Sequence, residues 1–270
     1  MNIHVCTISF RHTLQSLEDI ARWAAEQQFQ GVELWGVHAA ALESEKLPLV
    51  DLLGELGLTV PMISGYIPLD QTADTQQACS QLSQLAGAWQ AEKVRTFAGA
   101  KSSQDLQPDE RAYLTKQLRY MCGFFEQEGQ KLLIETHPGT LADSLPSTLQ
   151  LLQEVDHPNL WINFDALHVW ESGADPVHAF QQLRNHTAHF HLKNISSQKQ
   201  LSVFQPSNVY SPAGCRDGMV PLFDGALKYE HFLPHIPNGA DVSLEWFGAD
   251  VKGTLAMDSQ KIKAFQHAYA

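Results

Sequence analysis

The sequence predicts an α/β fold, a single (β/α)8 barrel spanning residues 1–270, and three observations predict it. Leu132–Thr140, LLIETHPGT, is an apolar run without polar alternation that ends abruptly in Glu135, Thr136 and His137 before a Pro-Gly turn. Such a run reads as a strand buried on both faces, as in a parallel sheet. Eight segments of strand character alternate with helical ones, which implies parallel pairing and, at eight units, closure. Strands five to eight each finish on a potential metal ligand, at the barrel end where chemistry is done. An open doubly wound sheet shares the alternation, but no GxGxxG follows the first strand, so dinucleotide binding has no support.

The elements follow in order. Ile3–Ser9 is the first strand, and Thr13–Gln28 places Leu14, Leu17, Ile20, Ala21, Trp23 and Ala24 at helical spacing. Gly31–Trp35 is strand two, Leu47–Leu56 a helix stopped by Gly57, and Thr59–Ser64 strand three, with Pro61 an awkward member of a ladder. Thr72–Gln90 is a long helix, Lys93–Phe97 strand four, Pro108–Glu128 a further helix broken by Gly129, and Lys131–Thr136 strand five. Pro146–Glu154 and Pro176–Leu183 are helices that open on proline, where the missing N–H costs nothing. Between and after them, Leu160–Phe164 and Ala188–Leu192 are strands six and seven. A loop with little pattern covers residues 195–225. A short helix at Tyr229–Leu233, strand eight at Asp241–Leu244 and a closing helix at Leu255–His267 complete the chain.

With a net charge of −12, the chain is a poor partner for nucleic acid or an anionic membrane, both of which bind clustered Lys and Arg. Cys6, Cys79, Cys122 and Cys215 are scattered without a CxxC pair, the pattern of free thiols in a reducing compartment. No apolar stretch approaches a membrane span of roughly 20 residues, and the N-terminus lacks a signal pattern, so a soluble, cytoplasmic protein is expected.

Glu135 ends strand five, Asp165 ends strand six, His191 lies at the end of strand seven, and Glu245 follows strand eight in SLEWFG. A carboxylate ending one strand is often only a cap. Four such groups on consecutive strands of a barrel surround one rim and can converge on one ion. Three carboxylates and an imidazole form a hard, oxygen-rich site, for which Mn²⁺ is the expected ion and Mg²⁺, Co²⁺ or Zn²⁺ are compatible. His137, two residues past Glu135, points to the same side by strand alternation. His168 and Lys193 stand three past Asp165 and two past His191. His189, deeper in its strand, is the weaker ligand candidate.

The set ETH, FDALH, HFHLKN and SLEWFG resembles the xylose-isomerase-like TIM barrel superfamily of sugar isomerases, epimerases and keto-sugar dehydratases. Longer strings are similar to the 3-dehydroshikimate dehydratases of petrobactin-type siderophore pathways. These strings are CTISFRH, ETHPGTLADSLPSTLQLLQEVDHPNL, ESGADPVHAFQQLR, KNISS and NVYSPAGCRDGMVPLF. One departure is Gly139, where the resemblance implies Asn. The resemblance implies metal-dependent dehydration of 3-dehydroshikimate to 3,4-dihydroxybenzoate (protocatechuate), with the product feeding siderophore synthesis or aromatic catabolism. In that reaction His137 is the candidate general base. His168 or Lys193 would protonate the departing hydroxyl or hold the enolate oxygen. Arg95 and, more weakly, Arg216 are candidates for the substrate carboxylate, and Tyr66 and Phe204 for lining a flat ring.

Three other readings compete. A keto-sugar isomerase or epimerase of the same superfamily would use the same ion and two opposed bases. A DNA-repair endonuclease on this barrel would need basic clusters and further ligands, which the sequence lacks. A non-catalytic binding barrel would not require titratable groups clustered around a ligand set.

Overall fold

Eight strands run in parallel around a closed barrel in chain order: β1 (Asn2–Cys6), β2 (Gly31–Trp35), β3 (Ile63–Ser64), β4 (Lys93–Thr96), β5 (Lys131–Glu135), β6 (Leu160–Asp165), β7 (Thr187–Leu192) and β8 (Asp241–Leu244). β1 closes the ring against β8, with Asn2 opposite Asp241 and Val5 opposite Leu244. The structure is a computed structural model and describes residues 1–69 and 75–269. The predicted fold class is the observed one.

The helices are α1 (Leu17–Glu26), α2 (Gly36–Ala41), α3 (Lys46–Glu55), α4 (Thr75–Ala88), α5 (Pro108–Gln127), α6 (Leu145–Val155), α7 (Ala166–Glu171), α8 (Pro176–Leu183), α9 (Pro206–Val209), α10 (Tyr229–Phe232) and α11 (Val251–Tyr269). Their apolar faces and the outward residues of the strands make the main core. Behind β6 and β7, Phe164 stacks on Phe232 at 5.5 Å and meets Phe180 edge-on at 5.9 Å. Such ring pairs add roughly 0.5–1.5 kcal/mol each beyond the area they bury.

Boundaries differ from the sequence reading for local reasons. α1 begins at Leu17 rather than Thr13 because Ser16 caps it, its hydroxyl accepting from the Asp19 N–H at 3.0 Å. β3 pairs only over Ile63–Ser64, Thr59 meeting Gly31 in an isolated bridge upstream of Pro61, which has no N–H to donate. α11 starts four residues before Leu255, where the Asp250 carboxylate accepts from the Gly253 N–H at 3.2 Å. The first three residues of the helix expected at Thr72–Gln90 lie outside the described residues. The loop over residues 195–225 contains a 3-10 turn at Gln198–Phe204 as well as α9. Two further helices, α2 and α7, are one and a half turns long, too short for a periodic pattern to reveal them.

The barrel interior departs from the usual packing of branched aliphatic layers. Lys93 of β4 reaches across to the Asp241 carboxylate of β8 and to Nδ1 of His189 on β7, at 2.5 and 3.3 Å. His189 Nε2 lies 2.8 Å from the Ser243 hydroxyl. Burial raises the Asp241 carboxyl, but His4 and Lys93 outweigh it and hold the group well below the usual carboxylate range. The floor of the barrel is therefore a paired polar layer beneath the strand ends.

All four cysteines are free, three of them buried and Cys215 exposed. No helix among the described residues is long and apolar enough to cross a membrane.

Candidate active site

The C-terminal ends of β5 to β8 bring Glu135, Asp165, His191 and Glu245 together, all buried. Asp165 and His191 are direct neighbours in the β6–β7 ladder. Asp165 is also the cap of α7: its Oδ1 accepts from the N–H groups of Leu167 and His168 at 3.0 and 3.1 Å. The same carboxylate thus ends a strand, starts a helix and folds His168 back toward itself, with His168 Nε2 3.9 Å from Asp165 Oδ2.

Nδ1 of His191 faces Glu245 Oε1 at 3.5 Å and Glu135 Oε2 at 3.7 Å. It is buried and makes no hydrogen bond. Ligand atoms of Asp165, His191 and Glu245 lie within 4.8 Å of one another, as do those of Glu135, Asp165 and His168. An orphaned imidazole nitrogen aimed between carboxylates, in a hard donor set, fits a divalent cation.

The charge is otherwise balanced by two buried cations. Lys193 Nζ bridges Asp165 Oδ2 at 2.6 Å and Glu245 Oε2 at 2.7 Å. Burial disfavours its ammonium, but the attraction of Asp165, Glu245 and Glu135 prevails and holds its pKa well above the usual lysine value. The same contacts keep Asp165 and Glu245 ionised against the desolvation that would neutralise them. Arg95 Nε lies 2.9 Å from Glu135 Oε2, and its guanidinium sits 4.9 Å from the Phe97 ring centre and 5.5 Å from that of Tyr66.

His137 stands at the rim, its ring 4.5 Å from His168 and 4.6 Å from Phe97. Its Nδ1 is 2.7 Å from the Pro138 carbonyl. A carbonyl only accepts, so Nδ1 carries the hydrogen and Nε2 keeps its lone pair. Desolvation, then the nearby His168 and Lys193, push its pKa well below the ordinary histidine value, so the ring is neutral. His168 Nδ1 donates to Glu171 Oε2 at 2.7 Å, since a carboxylate there is the acceptor. Gly139, just past His137, has φ +74° and open space where a Cβ would lie, a position that Asn also tolerates.

A cavity of about 60 Å³ is lined by Tyr66, Arg95, His137, His168, Lys193 and Phe204, among others. Tyr66 and Tyr210 bridge its mouth through hydroxyls 2.7 Å apart. Arg95 reaches this cavity, and its Nη1 is buried without a hydrogen bond. Arg216 does not reach it. Its guanidinium donates to the carbonyls of Asn208, Cys215 and Ser211 at 2.9–3.0 Å and lines a neighbouring cleft instead. Trp35 stacks on Tyr210 at 5.9 Å, while Trp246 turns its indole N–H to the Ala249 carbonyl.

Glu33 of β2 was not among the expected site residues. Its Oε1 and Oε2 lie 3.1 and 2.9 Å from His191 Nε2, and it also accepts from the Ser64 hydroxyl. The available signal was one carboxylate inside the short apolar strand GVELW, where an uncompensated charge would be costly.

Comparison with known proteins places this geometry in context. The chain is 48% identical to the 3-dehydroshikimate dehydratase of Bacillus anthracis over 263 residues, 94% of each chain. It is 26% identical over 217 residues to an inosose dehydratase of Mesomycoplasma hyopneumoniae, covering 76% of this chain and 71% of that one. Among solved structures, the probable 3-DHS dehydratase AsbF involved in petrobactin synthesis, from Bacillus anthracis, superposes with a TM-score of 0.94 at 46% identity. That match covers 97% of this chain and 99% of that one. The IOLI protein with a bound zinc atom shares the fold at a TM-score of 0.75 and 13% identity, over 100% and 98% of the two chains. The resemblance read from the ETH, FDALH and SLEWFG segments is borne out, and the family model for the xylose isomerase-like TIM barrel matches residues 21–265. The chain belongs to the xylose isomerase-like TIM barrel family.

Proposed function

We propose that the protein is a hydro-lyase that dehydrates 3-dehydroshikimate to 3,4-dihydroxybenzoate (protocatechuate) with the help of one divalent ion, Mn²⁺ for preference, in a siderophore pathway of the petrobactin type. The observation that carries this reading is 48% identity, across 94% of both chains, to a protein of that activity. The site geometry supports it with a candidate residue for each step.

Glu135, Asp165, His191 and Glu245 would hold the ion, which would supply a Lewis acid to polarise the ketone. His137, neutral and with Nε2 free, takes the proton from the carbon beside the ketone. Lys193, protonated and pinned between two carboxylates, and His168, held by Glu171, are the donors available to the departing β-hydroxyl. Loss of water, followed by a shift of one further ring proton to the former ketone oxygen, completes the aromatic ring, which drives the reaction forward. Arg95 presents its unpartnered Nη1 to the substrate carboxylate. Tyr66, Phe97 and Phe204 form walls for a flat ring.

Proton NMR of 3-dehydroshikimate incubated with the Mn²⁺-loaded protein tests the reading. The aromatic protons of protocatechuate should replace the substrate signals. Unchanged substrate, or exchange of the α proton without water loss, would move the assignment to the isomerases and epimerases of the family.

A further inference from the structure

Outside the reaction cavity, the most unusual grouping is a pair of guanidiniums that make no direct ion pair among the described residues, Glu245 attracting Arg11 only from a distance. Arg11 follows β1 and Arg216 lies in the long loop before β8, and they sit on consecutive backbone carbonyls. Arg11 Nε donates to the Val209 carbonyl at 2.6 Å, and Arg216 Nη1 donates to that of Asn208 at 3.0 Å. Neither has a carboxylate within 4 Å among the described residues, in a chain with thirty acidic side chains. Nη2 of Arg11 is buried and has no acceptor. A buried, unpaired donor on a charged group is costly, and two like charges side by side add to the cost. Desolvation, followed by the repulsion of Arg216, lowers the Arg11 pKa to about 10.

Both side chains line a cleft of about 560 Å³ at the catalytic end of the barrel, with His12 and Lys252 also on its walls. Asp250, the acid in that wall, is occupied in capping α11 through the Gly253 N–H. Phe247 lines this cleft and the reaction cavity alike, its ring centre 4.5 Å from the Arg11 guanidinium.

We infer that this cleft is a binding site for a small oxyanion, a phosphate or a carboxylate, held between Arg11 and Arg216 and separate from the catalytic carboxylates. The ligand pairs with the guanidinium edges that line the cleft and neutralises the two charges, as guanidinium forks do with such groups. Because the same arginines grip Asn208 and Val209, and Val209 and Tyr210 line the reaction cavity, a bound anion also fixes that wall.

The test uses the full chain freed of metal by a chelating resin. Thermal unfolding is followed against inorganic phosphate and, separately, acetate, which has no ring for the reaction cavity to hold, with sodium chloride at matched ionic strength as reference. A saturable rise in Tm is expected with at least one of the two, and the active one identifies the source. Arg11→Gln should weaken the apparent affinity about 10- to 100-fold, the value of one or two charge-assisted hydrogen bonds. Arg95→Gln should leave it unchanged. A response lost in Arg95→Gln but kept in Arg11→Gln would place the anion in the reaction cavity and overturn the inference, as would no saturable response beyond chloride. Should Arg11→Gln fail to fold, a selenate soak of wild-type crystals decides. An anomalous peak between Arg11 and Arg216 supports the site, and its absence at saturating selenate rejects it.

Discussion

Glu33 Oε2 lies 2.9 Å from Nε2 of His191, joining β2 to β7 across the barrel axis, with both side chains fully buried. Burial alone would neutralise Glu33, yet His191 and His189 hold its carboxyl well below the usual range. The carboxylate therefore takes the Nε2 hydrogen and leaves Nδ1 for the carboxylates of the rim. A partner of this kind behind a ligating histidine is worth about 10- to 100-fold in metal affinity. Glu33→Gln should weaken Mn²⁺ binding by that factor in calorimetric titration, with the far-ultraviolet spectrum unchanged. Undiminished affinity would show that His191 needs no orienting charge.

In the metal-free protein His191 is protonated. Burial lowers its pKa, but Glu33, Glu245 and Glu135 overcome this and raise it to about 9. An imidazole must lose that proton to bind a metal, so affinity should climb about tenfold per pH unit up to pH 9. Titrations in buffers of different ionisation enthalpy should report release of about one proton per ion at pH 7. No release would contradict the role of His191 as a ligand.

His137→Ala removes the free Nε2 but none of the four carboxylate and imidazole donors. Turnover should fall about 10²- to 10⁴-fold, the usual worth of a positioned base, while Mn²⁺ affinity stays within a few-fold of wild type. A variant with near-normal kcat would remove His137 from the base role.

Asp258 gives a pH signature far from the site. Both its oxygens accept from the Leu222 N–H, at 3.0 and 3.1 Å, yet desolvation raises its pKa to about 6. A carboxyl raised on folding stabilises the protein fully below its unfolded value near 3.8, and that stability is lost as pH rises through 6. Asp258→Asn should thus gain about 1–3 kcal/mol at pH 8 and nothing at pH 4, read by urea unfolding at both values. An equal effect at the two pH values would mean that the gain is not electrostatic.

The strands and the rim residues were legible because a parallel barrel writes them plainly. Leu132–Ile134 is apolar up to Glu135, and each of β5 to β8 carries a potential ligand in its last two residues or just after them. Glu33 escaped because nothing in GVELW tells which residue across the barrel will meet a mid-strand carboxylate. That contact spans 158 residues of sequence. The surroundings of Arg216 were hidden for the opposite reason: its partners are carbonyls of its own loop, which have no sequence signature. The split of Thr136 from β5, and the start of α7 on Asp165, depend on capping geometry rather than on periodicity.

In the proposed reaction these strand-end residues dehydrate 3-dehydroshikimate with the help of a bound divalent ion. The most direct test incubates the protein with 3-dehydroshikimate after EDTA treatment, then adds Mn²⁺, and follows the ultraviolet absorbance of protocatechuate. No aromatic product is expected from the stripped protein and full recovery on adding the ion, with Glu135→Ala inactive in both. Product formation indifferent to metal, or none at all with Mn²⁺ bound, would contradict it.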